Sequence, residues 1–154
     1  MLTLLLPTDL SDRIKAALRK AGHREIGGIL MAEHVGVDTF SLTDLTIHRR
    51  GTVASFVRRI EEALGFLRAF FHRTNHDYTK FNYIGEWHSH PCFEPEPSLK
   101  DDASMQEIVG DATIGANFVV LLIVKLSPEG DLLTSIYSYL PNGEKVRAKV
   151  RQAM

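Results

Sequence analysis

The chain has 154 residues, of which 44% are hydrophobic and 24% are charged, and its formal net charge is -1. This composition is typical of a globular protein, and its near neutrality excludes a whole-domain electrostatic grip on nucleic acid. The length predicts a single domain spanning residues 1–154, with a core that folds without disulfides. The single cysteine, Cys92, excludes an intramolecular disulfide and an all-cysteine zinc site.

The sequence contains no pattern typical of a membrane or export segment. The longest apolar run, residues 118–124, has seven residues, whereas a membrane-spanning helix needs about twenty. The apolar stretch at residues 1–7 lacks the basic flank and the length of a signal peptide. We therefore expect a cytoplasmic protein that does not act at a membrane.

Hydrophobic periodicity predicts helices interleaved with strands. The predicted elements are, in chain order, a helix between Pro7 and Gly22, strands over 26–33 and 39–47, a helix over 57–71, a strand over 81–90, a helix over 98–109, and a hairpin of strands 117–126 and 131–140. The Gly27-Gly28 pair indicates a close backbone approach, and the basic segment 145–151 is interpreted as a tail. This order favours a mixed sheet flanked by helices.

Two histidines in the strand 81–90 carry the clearest chemical signal. His88 and His90 lie two residues apart, so their side chains leave a strand on the same face and can converge on one metal ion such as zinc. Pro91 ends the strand, and Asp101, in the first turn of the next helix, could supply a third ligand. Three protein ligands and a water make an open, catalytic type of zinc site, in which the pKa of the bound water falls to about 7.

A His-x-His pair alone is weak evidence for a metal site, because a sequence of this composition contains roughly 0.3 such pairs by chance. Requiring a serine and an aspartate at the offsets of Ser98 and Asp101 lowers the chance expectation to roughly 0.001. The spacing from Ser98 to Asp101 also fits a capping box at a helix start, which needs no metal. The two interpretations are compatible, because they use different atoms.

Three nearby residues leave alternatives open. Glu86 shares the strand face of the histidines and is either a fourth ligand or base, or a carboxylate that orients an imidazole, which we favour. Asp102 competes with Asp101, although the spacing favours Asp101. Cys92 is interpreted as a loop residue rather than a nucleophile, because no base accompanies it at a readable spacing. Zinc deaminases need a second cysteine after Pro-Cys, so deamination is excluded.

Two segments together resemble a known family of zinc enzymes. His88-Ser89-His90-Pro91, followed by Ser98 after seven residues from His90 and by Asp101 after two more, resembles the JAMM motif of MPN-domain metalloproteases, His-x-His-x7-Ser-x2-Asp. The segment that begins Glu25-Ile26-Gly27-Gly28 resembles the stretch that carries the upstream glutamate of that family. The resemblance covers nearly the whole chain in the order of its elements.

The resemblance implies a fold and a set of roles. The fold would be the α/β MPN (JAMM) fold, a mixed, mostly antiparallel sheet flanked by helices and similar to that of cytidine deaminases. His88, His90 and Asp101 would hold one Zn²⁺ with a bound water. Glu25 would be the general base, and Ser98 would donate a hydrogen bond to the developing oxyanion.

The resemblance also implies the class of substrate. Such enzymes cleave isopeptide or peptide bonds after the C-terminal glycine of a ubiquitin-like modifier, and prokaryotic relatives act on ubiquitin-like or sulfur-carrier proteins, some beside conjugation enzymes in antiphage operons. We therefore expect a JAMM-type isopeptidase with such partners. The alternatives are a non-catalytic MPN scaffold, which is disfavoured because the ligand set is complete, and a peptidase that releases a small adduct from a sulfur carrier.

An acidic segment beside the motif suggests a substrate contact. Residues 93–111 contain six acids and one lysine. Because ubiquitin-like tails often carry arginine before the terminal glycines, Glu94 and Glu96 are candidates for binding such a tail. Acids are equally expected there for another reason, since the positive end of a helix dipole favours them.

Overall fold

The computed structural model describes residues 1–49, 56–112 and 115–153. Within these ranges the chain forms three helices and nine strands. The helices are α1 (Thr8–Ala21), α2 (Phe56–Arg73) and α3 (Leu99–Gly110). The strands are β1 (Thr3–Pro7), β2 (Ile26–Gly36), β3 (Thr39–Leu45), β4 (His48–Arg49), β5 (Phe81–Ser89), β6 (Val119–Leu126), β7 (Leu132–Tyr139), β8 (Lys145–Arg147) and β9 (Lys149–Ala153). No helix in the described part of the chain is both long and apolar enough to cross a membrane.

The strands form one mixed sheet in the order β8-β7-β6-β5-β2-β3-β1-β9, with β4 paired to β2. The pairs β5–β6, β1–β3 and β1–β9 are parallel and the other pairs are antiparallel. Parallel neighbours need a crossover connection, and α3 supplies the one between β5 and β6. The predicted mixed, mostly antiparallel sheet is therefore confirmed.

Helices cover both faces of this sheet. On one face, α1 packs through Leu10, Ile14 and Leu18 against a cluster that includes Leu30 and Trp87. On the opposite face, α2 and α3 each cover a smaller cluster. The sheet residues there are Ile29 and Met31 beneath α2, and Val119, Leu121 and Ile123 beneath α3. Strand β6 contributes alternate residues to both faces, which explains its unbroken apolar run.

Two predictions at the ends of the chain are wrong. No strand is predicted for residues 1–7, whereas β1 lies between β3 and β9 in the sheet. The side chains of Leu4 and Leu6 are buried, but two alternating positions are too short a pattern to identify a strand. Residues 145–151 are predicted to be a tail, whereas this segment contains β8 and the start of β9. Strands β8 and β9 are the two edge strands of the sheet, where polar side chains stay in solvent.

Candidate metal centre

The two histidines of the motif lie at the end of β5. In the antiparallel register with β2, His88 lies opposite Gly27, and the backbone N–H of His90 donates to the carbonyl of Val124 in β6. His88 and His90 are buried, with exposed fractions of 5% and 7% for the whole residues. Their Nε2 atoms lie 3.2 Å apart. Adjacent strands on both sides therefore hold the pair in place.

The start of α3 brings Asp101 to these histidines. Ser98 is the N-cap residue: its Oγ accepts from the Asp101 backbone N–H at 3.1 Å, and its own N–H donates to Asp101 Oδ2 at 2.9 Å. The predicted capping box is confirmed. The same Oδ2 atom lies 3.3 Å from Nε2 of His88 and 3.3 Å from Nε2 of His90. The cap thus fixes the carboxylate that faces both imidazoles.

These three atoms form a nearly equilateral triangle with sides of 3.2, 3.3 and 3.3 Å. Ligand atoms bound to a tetrahedral zinc ion at about 2.0–2.1 Å lie about 3.3 Å from one another. Two imidazole nitrogens and a carboxylate oxygen are also a donor set that zinc accepts. The residues present therefore fit a metal ion, and the predicted convergence of His88, His90 and Asp101 is confirmed.

The hydrogen bonds around the site prepare these groups to bind a cation. Burial by itself would raise the pKa of Asp101, but the hydrogen bond and charge of His88 and the hydrogen bonds of Ser98 hold that pKa well below its usual value. His90 Nδ1 lies 3.0 Å from the carbonyl oxygen of Glu94. Because a carbonyl oxygen only accepts, Nδ1 donates to it, which leaves Nε2 as the ring nitrogen that can bind a metal ion.

Glu25 immediately precedes β2, next to the end of β5. Gly27 is paired with His88 in the antiparallel register, and Glu25 lies two residues before Gly27, just outside the strand. The Ile26 N–H donates to the Ser89 side chain at 3.0 Å, which ties this part of the chain to β5. The Glu25 side chain is partly exposed. The fold therefore brings the backbone at the start of β2 to the end of β5, and the role of Glu25 stays a prediction.

Glu86, Asp102 and Cys92, the other candidates for a role at this site, lie outside the group of three ligand atoms. Glu86 is buried, with an exposed fraction of 6%, yet among the described residues it is not part of the group whose ligand atoms come together. Asp102 accepts hydrogen bonds from Tyr139 and Lys145. Cys92 is exposed in the loop after His90, and its Sγ lies 3.9 Å from Nδ1 of His23. The choice of Asp101 over Asp102 agrees with this arrangement.

The two acids assigned to substrate binding are exposed on the loop between β5 and α3. Glu94 contacts His90 through its main-chain carbonyl. The Glu96 carboxylate accepts from the Tyr137 hydroxyl at 2.8 Å and pairs with Arg147 at 3.3 Å. Sequence reasoning missed these partners on β7 and β8, since no local spacing links them to the motif. Binding of a substrate tail by Glu94 and Glu96 stays a prediction.

The glycine pair in β2 makes the site possible. A Cβ atom on Gly27 would overlap the Trp87 carbonyl oxygen and lie 2.9 Å from the His88 Cβ, and a Cβ on Gly28 would overlap the Thr46 carbonyl oxygen. The close backbone approach predicted from the sequence is confirmed. Because Gly27 faces His88 directly, its missing side chain allows β2 and the metal-facing end of β5 to pair.

We expect Gly27→Ala to lower the free energy of unfolding by about 1–3 kcal/mol, because the added methyl group must displace β5. Chemical denaturation of the metal-free protein measures this loss. Gly65→Ala is the matched control, since a Cβ at Gly65 in α2 meets nothing within 4 Å; it should be neutral or stabilise by up to about 1 kcal/mol. Equal stability of Gly27→Ala and wild type would contradict the proposed packing.

Comparison with known proteins finds a matching family model and a curated relative. A family model described as prokaryotic homologs of the JAB domain matches residues 7–136. A curated protein from Enterobacter hormaechei, named CD-NTase/cGAS isopeptidase, is 27% identical over 146 residues, which cover 92% of this chain and 77% of that protein.

Two solved structures share the fold. A Desulfitobacterium hafniense protein matches with a TM-score of 0.67 at 17% identity, over 97% of this chain and 92% of that one. A JAB1/MPN domain protein from Archaeoglobus fulgidus matches with a TM-score of 0.51 at 16% identity, over 97% of this chain and 98% of that one. At these identities the likeness concerns the fold alone, and it confirms the predicted MPN fold.

Proposed function

The chain belongs to the family of prokaryotic homologs of the JAB domain, and we propose on that basis that it is a zinc-dependent isopeptidase. The substrate is a ubiquitin-like modifier, which the enzyme removes from conjugates or releases from a precursor by cleaving after the C-terminal glycine of the modifier. The proposal draws on the site geometry for the chemistry and on the relatives for the substrate class.

The observation that carries the proposal is the triangle of ligand atoms from His88, His90 and Asp101. Among the residues that the structure describes, no further histidine, cysteine, aspartate or glutamate joins this group. Structural zinc sites close with four protein ligands, whereas catalytic sites have three and keep a position for water. A three-ligand set therefore supports a catalytic role over a purely structural one.

A zinc ion bound there would lower the pKa of its water to about 7 and would polarise the substrate carbonyl. Glu25, which directly precedes β2, accepts the proton of the attacking water and passes it to the leaving amine. Ser98 Oγ accepts from the Asp101 N–H, so its own hydroxyl proton can be donated to the developing oxyanion. Water attacks directly, and no acyl-enzyme forms.

The substrate class is supported by the Enterobacter hormaechei relative, which is named as an isopeptidase of CD-NTase/cGAS. An isopeptidase cleaves an isopeptide bond, which is the bond that joins a protein modifier to a lysine side chain. We extend this activity to the present chain, with the conjugation enzymes of an antiphage system as its partners and the cytoplasm as its location. The metal site would be the same for a sulfur-carrier substrate, so substrate identity must be measured.

The test is a cleavage assay with ubiquitin-like and sulfur-carrier proteins, each fused through its C-terminal glycine to a short extension. We expect a single cut after that glycine, identified by mass, that stops when a zinc chelator is added and returns when zinc is restored. A modifier with its terminal glycine changed to alanine serves as the matched control substrate. Cleavage that persists after complete removal of metal would contradict the proposal.

A further inference from the structure

The two adjacent aspartates in the first turn of α3 are held by different partners. Asp101 contacts Ser98 and the two histidines, as described above. Asp102 Oδ1 accepts from the Tyr139 hydroxyl at 2.6 Å, and the Lys145 ammonium lies 3.1 Å from each oxygen of the same carboxylate. Burial and the neighbouring Asp102 carboxylate raise the pKa of Tyr139, so its hydroxyl stays protonated as a donor.

Packing alone does not fix the start of α3. The apolar contacts of this helix with the sheet come from Met105, Ile108 and Val109, in its second half. Leu99, at the first helical position, is 89% exposed. The position of the first turn relative to the sheet therefore depends on polar contacts, and Asp102 makes two of them.

The partners of Asp102 belong to a regular pattern on the β7–β8 hairpin. Tyr139 pairs with Lys145 and Tyr137 pairs with Arg147 across the two strands. The first pair holds Asp102, and the second holds Glu96 through the Tyr137 hydroxyl at 2.8 Å and Arg147 at 3.3 Å. Arg147 also donates to the Tyr137 hydroxyl at 2.7 Å. The hairpin thus binds one carboxylate on each side of the segment from Ser98 to Asp101.

We propose that Asp102, Tyr139 and Lys145, here called the Asp102 clamp, position Asp101 as a metal ligand and thereby set the zinc affinity of the site. The clamp joins the helix turn that carries Asp101 to the sheet that carries both histidines. Lys145 also balances the charge of a carboxylate next to Asp101. The inference rests on the proposed zinc site. Groups that orient a ligand contribute about 10–100-fold to metal affinity in other proteins.

The test measures the zinc dissociation constant of the full chain by competition with a chromogenic chelator. Tyr139→Phe removes only the hydroxyl and keeps the ring in the core, and Lys145→Met removes the charge while it keeps the aliphatic stem. We expect each variant to bind zinc at least about tenfold more weakly than wild type. Tyr78→Phe is the matched control, since Tyr78 is half exposed and contacts Phe71 and His76; its zinc affinity should equal that of wild type.

Unfolding of the metal-free variants separates positioning from general stability. We expect Lys145→Met to unfold close to the wild-type midpoint while its zinc affinity falls, which a merely structural role would not produce. Wild-type zinc affinity in both folded variants would overturn the inference and leave the proposed function intact. Failure of the wild-type protein itself to bind zinc would overturn both.

Discussion

Glu25→Gln is expected to bind zinc as tightly as wild type and to cleave the modifier fusion about 10²–10⁴-fold more slowly. The amide has the size of the carboxylate but cannot accept the proton of the attacking water. Because Glu25 is not among the three residues whose ligand atoms come together, metal binding should not depend on it. Metal content and kcat, measured on the same preparation, give both quantities.

Glu33→Gln is the matched control for this prediction. Glu33 lies in the same strand, β2, and its carboxylate pairs with Lys80 at 3.5 Å. This variant should retain wild-type kcat, because the pair lies at the surface with both side chains partly exposed, and such a pair contributes little to stability. If Glu25→Gln cleaves at the wild-type rate, Glu25 is not the general base.

Asp101→Asn is expected to lose both zinc and cleavage. The side chain keeps its shape, but a neutral amide replaces the charged oxygen that lies 3.3 Å from both imidazole nitrogens. Since changes to groups that only orient a ligand already cost about 10–100-fold in affinity, loss of a ligand should cost at least about 100-fold. Zinc titration and the fusion assay measure the two effects.

Asp9→Asn provides the comparison for Asp101→Asn, because Asp9 lies in the first turn of α1 and Asp101 is one of the two acids in the first turn of α3. Both substitutions remove a favourable charge from a helix start, which is worth about 0.3–1 kcal/mol. Only Asp101→Asn should change zinc binding. Retention of tight zinc binding by Asp101→Asn would remove Asp101 from the ligand set.

The histidine pair could be predicted from local geometry alone. Two side chains two residues apart in a strand share a face in any sheet, so His88 and His90 needed no knowledge of the fold. Asp101 needed more, because its approach depends on a loop that returns from β5 to α3. The serine at the start of α3 supplied that link, since the pattern from Ser98 to Asp101 predicts where the helix begins.

The role of Glu25 could not be predicted from the chemistry and spacing of the residues alone. Strand parity favoured Glu86 as the nearby carboxylate, and only the family resemblance indicated Glu25. The register of β2 against β5 explains why, because the segment that follows Glu25 is paired with a strand more than sixty residues away in the chain. Pairings of this length depend on tertiary structure rather than on local pattern.

The Asp102 clamp was not predicted for the same reason. Tyr139 is 37 residues from Asp102, and Lys145 is 43 residues away. The segment that supplies Lys145 was interpreted as a tail, so its pairing with β7 was missed along with its contact to Asp102. Strand β1 was not predicted for a different reason. Its apolar residues are evident in the sequence, but the run is too short to be identified as a strand.

The central claim is that His88, His90 and Asp101 together bind one zinc ion. Crystals of the zinc-loaded wild-type protein, measured on both sides of the zinc absorption edge, test it most directly. We expect one anomalous peak about 2.0–2.1 Å from Nε2 of each histidine and from Oδ2 of Asp101. A zinc-loaded crystal with no peak among these three atoms, or with its peak at other residues, would contradict the account.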